Sequence, residues 1–256
     1  MTTSVRDLQE RGLGATLRRD AWWIAPVLTA IVLGSFGIYA TWAAWVGTNY
    51  EWGPYLSPFY SPLIKASWWP FSPAFLILVF PLGFRMTCYY YRKAYYRSFF
   101  LDPVACGVGE PRHGYRGETR FPFILQNLHR FFMYAAVVFI FILAYDVVLA
   151  TRWPVSGGGG GHQFGIGVGT LVMALNVVLL ASYTFGCHSL RHLIGGSVDC
   201  FSCARGGQAR FRLWRGVTAL NKNHMLWAWC SLFGVALTDV YIRLCAMGVI
   251  HDIRLF

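Results

Sequence analysis

Charged residues make up 13% of this 256-residue chain, against 56% hydrophobic residues. A soluble domain carries about twice that charged share, so a lipid bilayer is the expected solvent. Acidic residues are the scarcest: 11 Asp and Glu stand against 22 Lys and Arg, giving a net charge of +11. The basic residues do not form a binding stripe but cluster between apolar segments. That is a topology signal and argues against a nucleic-acid partner. A cleavable signal peptide is not expected, because the first 20 residues carry Arg6, Arg11, Arg18 and Arg19 and no short apolar core. No internal repeat is visible, and no room is left for a large soluble domain. The seven cysteines are odd in number and lie mostly in or near apolar segments, which argues against a disulfide framework and for reduced thiols or metal ligands.

What the chain does have is long apolar runs. A membrane helix needs about 20 apolar residues, and five runs qualify, at approximately 22–46, 71–91, 129–150, 164–192 and 224–249. The expected fold is an all-α integral membrane protein with five transmembrane helices. Helices one to four form a bundle with helix five alongside, in a membrane domain covering 22–256 after an N-terminal segment 1–21. Lys and Arg number 4 in residues 1–21, 7 in 92–130 and 6 in 191–222, which is 17 of the 22. The N-terminus and the loops 92–128 and 193–223 are therefore expected on the cytoplasmic side. On the other side, the Tyr-, Trp- and Pro-rich run NYEWGPYLSPFYSP within 47–70 should form an ordered cap, and Gly157 to Gly161 a flexible link.

With that topology, Cys88, His129, Cys187, His188, His192 and His224 share one depth at the basic ends of the spans. Imidazole and thiol ligands in one layer of a bundle suit a redox centre. A b-type haem needs two axial imidazoles from different helices, which His129 and His188 could supply. Two stacked haems are not expected, because the first span contains no His. A Rieske-type 2Fe–2S cluster needs two Cys and two His, and Cys88, Cys187, His129 and His188 would satisfy it. His192, His224 and Cys106 stand in reserve, with one haem b as the alternative cofactor. The plainer reading stays open: a free Cys packs as a small hydrophobe, and His is common at helix ends.

Arg85 lies about two turns inside the second span, where a charge is expected to face the bundle interior and meet an anionic group, a carbonyl or a cofactor edge. Arg85, Tyr89 and Ser189 are candidate quinone ligands near the layer, with Tyr55 and Tyr60 as an alternative pocket under the outer cap. Asp239 and Arg243, spaced i, i+4, should neutralise each other as a structural pair, and Asp146 is also read as structural. Cys200 and Cys203 form a lone C-x-x-C with neither four zinc ligands nor a βαβ context, and are expected to be ordinary loop thiols.

The runs LGFRMTCYYYRKAYYRSFF (82–100), GETRFPFILQNLHRFF (117–132), CHSLRHLIGG (187–196), LNKNHMLWAW (220–229) and YLSPFYSP (55–62) resemble the membrane-anchor subunit of actinobacterial succinate dehydrogenase. The resemblance covers most of the chain from Trp22 onward. It implies a multi-pass protein of the bacterial inner membrane that passes electrons to menaquinone. The implied partners are a flavoprotein carrying FAD and an iron–sulfur protein, together with lipid and quinone, and a trimer of such complexes is the candidate assembly. Relatives with two b haems carry His on the first four helices; this chain has none on the first and Cys88 on the second, which favours a cysteine-containing centre. The competing functions are a cytochrome b-type subunit of another respiratory dehydrogenase, such as one for formate or hydrogen, and a cofactor-free structural anchor.

Overall fold

The structure, a computed structural model, describes residues 12–111, 119–121, 123–154, 161–196 and 198–256. Arg6, Arg11, residues 112–118 of the first basic loop and Gly157 to Gly160 of the expected flexible link lie outside the described residues.

The apolar runs fold as helices. Helix α1 is Ile24–Val46, with no charged residue in its first or last turn. Helix α2, Ala74–Thr87, contains Pro81 and is followed by α3, Tyr89–Tyr95, which continues as a wider turn over Tyr96–Phe100. The axis bends by 78° between α2 and the segment Tyr89–Phe100, because Cys88 is extended (φ −64°, ψ 129°) and interrupts the helical ladder. A tight turn, Phe123–Leu128, leads into α4, His129–Leu149. Helix α5 is Val168–Phe185, α6 is His188–Gly195, α7 is Gly207–Lys222 and α8 is His224–Ala246. Among the described residues four helices are long and apolar enough to cross a membrane, or five if the bent pair counts as one span. This is an all-α membrane protein with little sheet.

Contacts divide the chain into two units: residues up to Tyr39 with Arg85–Leu128, and Ala40–Phe84 with His129–Phe256. In the first unit the N-terminal stretch is tied to the loop around Val108. Thr16 bridges Val108, its hydroxyl donates to the Gly107 carbonyl at 2.7 Å, and Gly109 N–H donates to the Ala15 carbonyl at 2.8 Å. Arg18 donates to the Cys106 carbonyl at 2.9 Å and pairs with Asp20. Their hydrogen bond raises the guanidinium pKa and holds the Asp20 carboxyl below its ordinary value.

In the second unit α5 packs most extensively on α8, with α4 beside α5. A cap covers one end of these helices. It contains the two-residue strands β1 (Glu51–Trp52) and β2 (Tyr55–Leu56), paired antiparallel about Gly53, whose φ of +51° suits glycine. Strands β3 (Arg152–Pro154) and β4 (His162–Phe164) form a second antiparallel pair. Tyr55 enters a core with Ala150, Met173 and Ile242, and Gly169 lets its ring approach: a Cβ there would lie 2.3 Å from Tyr55 Cε2. The Tyr55 hydroxyl donates to Asp252 at 2.7 Å, and Asp252 also accepts the Gly169 N–H at 2.8 Å, placing a carboxylate at the positive end of α5. Burial, above all, pushes the Tyr55 phenol above its ordinary value, and the Asp252 carboxylate adds to it.

The expected charge pair is present. Arg243 Nε lies 2.7 Å from Asp239, with both side chains buried. Ser57 donates to the other Asp239 oxygen. The remaining guanidinium nitrogens donate to the carbonyls of Thr48 at 2.7 Å and Ala43 at 2.8 Å. Asp146 accepts from Ser61. Run 47–70 is thus a cap knitted by buried polar contacts.

The expectation of free loop thiols needs correcting: Cys200 and Cys203 are a disulfide, their Cα atoms 5.3 Å apart, within bridging reach. One local backbone arrangement also occurs twice, at Cys88 and at Cys187.

Candidate functional site

The repeat is centred on Cys88 and Cys187. Each ends a long helix and caps a short one in the same extended conformation, φ −64° with ψ 129° at Cys88 and 137° at Cys187. The same hydrogen bonds frame both. Cys88 N–H donates to the Arg85 carbonyl at 3.2 Å and Cys187 N–H to that of Thr184 at 3.2 Å. Arg92 N–H then donates to the Cys88 carbonyl at 2.8 Å, and Arg191 N–H to that of Cys187 at 3.0 Å. Both thiols are buried. The sequence echo is short: aromatic-x3-Cys-x3-Arg, filled by Phe84, Cys88, Arg92 and by Tyr183, Cys187, Arg191.

A histidine ring stacks on each aromatic of the echo. His129 opens α4 and His224 opens α8. In the second unit the His129 ring stacks on Phe84, centroids 4.9 Å apart and planes 5° from parallel. The His224 ring stacks on Tyr183 at 4.9 Å and 16°. Phe84 and Tyr183 touch at 5.3 Å, so the two imidazoles end a four-ring series. His129 Nε2 lies 3.2 Å from Cys187 Sγ. One imidazole and one thiol of the expected layer are therefore in direct contact.

The other expected site residues are placed differently. His188 and His192 are exposed on α6. Cys106 is exposed, and its carbonyl is held by Arg18. Arg85 donates to the Tyr91 hydroxyl and lies over that ring, 5.4 Å from its centroid. Tyr89 is 70% exposed, with the Arg92 guanidinium 4.9 Å from its ring centre. Ser189 is half-buried. Tyr55 and Tyr60 are fully buried with hydroxyls engaged: Tyr60 donates to the Ala43 carbonyl at 2.8 Å and accepts from Gly47 N–H at 3.2 Å. Among the described residues no group of three or more His, Cys, Asp or Glu is gathered as a metal site.

Phe84 and Tyr183 were missed by sequence reasoning, although each lies four residues before its cysteine. That shared spacing was the available signal.

Four or five apolar spans among the described residues, with imidazoles and thiols seated where helices begin and break, define a multi-pass membrane protein. The chain belongs to the family of actinobacterial succinate dehydrogenase subunit SdhC, whose model matches residues 24–248. It is similar to a chain of the Mycobacterium smegmatis Sdh1 complex in the apo form, with 45% identity, 94% of each chain covered and a TM-score of 0.83. No curated protein matches it. The protein is a membrane-anchor subunit of a succinate dehydrogenase in the bacterial inner membrane.

Proposed function

We propose that this anchor passes electrons from the cytoplasmic side of the complex to a menaquinone-type quinone in the bilayer. Its partners are the flavoprotein and iron–sulfur subunits, with lipid and quinone. The basic loops face the cytoplasm, by the distribution of Lys and Arg, and dock the soluble subunits by charge complementarity.

The observation that carries the reading is the 3.2 Å contact of His129 Nε2 with Cys187 Sγ, inside a family whose complex is a succinate dehydrogenase. The donor set agrees in kind with a Rieske-type 2Fe–2S cluster, which takes two thiolates and two imidazoles and supplies a one-electron station of raised potential. Cys187 and His129 would hold it from the second unit. Cys88 is the second thiolate by its sequence setting and its own backbone conformation. His224 replaces His188 as the second imidazole, because its ring stacks on Tyr183 as that of His129 stacks on Phe84, whereas His188 is exposed. The chain's own contribution is to keep these groups at helix boundaries and to surround them with aromatic rings that exclude water. Arg85, Tyr89 and Ser189 are the proposed partners of the quinone carbonyls. Tyr55 and Tyr60 leave that role, their hydroxyls being engaged in the cap.

The test is His129→Ala in the intact complex. Quinone reduction should fall at least about tenfold, or 1.4 kcal/mol, while succinate oxidation by a soluble acceptor persists. Iron and acid-labile sulfide per complex should fall together, with loss of the EPR signal of a two-His cluster. Unchanged quinone reduction and unchanged iron would remove His129 from the path; haem bands in the spectrum would replace the cluster with haem b. A cofactor-free anchor is the second reading, in which the buried free thiols of Cys88 and Cys187 pack as small hydrophobes.

A further inference from the structure

Helix α7 lies in the second basic loop, 193–223, and none of its residues has yet been given a role. It leaves the turn after α6 and ends at Lys222, two residues before α8 enters the apolar span. The hairpin of α6 and α7 therefore starts and finishes at the membrane boundary. It is rigidly built. Trp214 packs so close to Gly195 that a Cβ there would lie 2.2 Å from its Cδ1. Arg191 donates to the Thr218 hydroxyl at 3.0 Å and lies over Trp214, 5.0 Å from the ring centre. Arg210 donates to the Ile194 carbonyl, and Asn221 donates to the Gly186 carbonyl at 2.8 Å.

These contacts settle the faces of α7. Arg210, Trp214, Thr218 and Asn221, spaced by three or four, hold the inner side. Gln208, Arg212, Arg215, Ala219 and Lys222 recur at the same spacing, and all are exposed. Neither Arg212, Arg215 nor Lys222 has an acidic partner among the described residues, and no Asp or Glu occurs between Asp199 and Asp239. Large apolar side chains flank the cations: Phe211 is 39% and Leu213 63% exposed. Arg215 lies over Phe211, 6.0 Å from the ring centre.

We infer that this stripe binds the headgroup of an anionic phospholipid on the basic side of the membrane. Cations alone would suit any acidic surface. Cations interleaved with exposed Phe and Leu, on a helix fixed at the bilayer edge, match the boundary between phosphate and acyl chain. The guanidiniums meet the phosphate while the two apolar side chains enter the acyl region. The α6–α7 hairpin keeps the stripe in place without the lipid, so little ordering is lost on binding.

The test compares the intact purified complex with the triple variant Arg212→Gln, Arg215→Gln, Lys222→Gln. Phosphatidylglycerol, or phosphatidylcholine as control, is titrated into the detergent-solubilised complexes while the thermal midpoint is followed. Lipid phosphorus per complex is also measured. The wild type should be stabilised by phosphatidylglycerol and not by phosphatidylcholine. Each cation near the surface is worth about 1 kcal/mol, so the variant should need on the order of a hundredfold more phosphatidylglycerol and should retain less lipid phosphorus. The same phosphatidylglycerol response in both would overturn the inference. So would loss of the iron–sulfur subunit from the variant with its lipid response intact, because the stripe would then be a protein-docking surface.

Discussion

Helix α8 runs from His224 to Ala246, and its two ends handle polarity differently. Near the cap, Asp239 and Arg243 are buried and bonded to each other, and then to Ser57, Thr48 and Ala43. At the other end His224 is partly buried and lies flat on Tyr183, in a series of rings reaching the His129–Cys187 contact. The cap turns charge into structure by saturating it. The opposite end keeps soft donors at helix boundaries, among aromatic rings. The same helix thus serves as strut at one end and as part of the proposed electron-transfer site at the other.

The sharpest break of that contrast is Asp239→Ala. It strands the Arg243 guanidinium in a buried site, and removing one partner of such a pair costs about 3–5 kcal/mol. The complex should lose thermal stability and assembled yield, with the remaining complexes keeping their ratio of quinone to soluble-acceptor activity. A selective loss of quinone reduction at normal stability would show that the cap belongs to the reaction site.

Glycine substitutions sharpen the comparison. A Cβ on Gly169 would lie 2.3 Å from the Tyr55 ring, whose hydroxyl is anchored on Asp252. A Cβ on Gly83 would lie 2.4 Å from the Phe132 ring, a half-buried side chain. Gly169→Ala should therefore cost about 1–3 kcal/mol, as overpacking does, and Gly83→Ala less, read as thermal midpoints of the two purified complexes. Equal losses would show that the ring near α2 is as firmly held as the cap.

How far the sequence reached follows the same division. Apolar runs between basic clusters gave the spans, because hydropathy is read one residue at a time. The Asp239–Arg243 pair was legible because i, i+4 spacing on a helix determines proximity. The bend at Cys88 was not legible: nothing around Thr87 and Cys88 is a strong helix breaker, and apolar residues continue across it. For the same reason α5 stops at Phe185 inside a run that reads as helical to 192. The candidate donors share a depth in the sequence, but depth says nothing of facing, so the exposure of His188 and the stacking of His224 on Tyr183 are visible only in the structure. The spacing of Phe84 and Tyr183 before their cysteines marks where the histidine rings stack, but two aromatics in a chain that is 18% aromatic do not stand out.

The histidines give the smallest predicted effects and the most direct test of where the site lies. His224→Ala removes a ring stacked on buried Tyr183; His188→Ala removes one exposed on α6. If the repeat identifies the ligands, His224→Ala should reproduce the His129→Ala loss, at least about tenfold in quinone reduction, with iron falling in step. His188→Ala should stay within about twofold of wild type, the range of a surface change. A merely structural His224 would lower both succinate activities together by lowering the amount of folded complex, and per-complex iron would not change. The ratio of quinone to soluble-acceptor turnover therefore separates a ligand from a packing residue, and the pair of variants measured side by side decides which histidine the anchor uses.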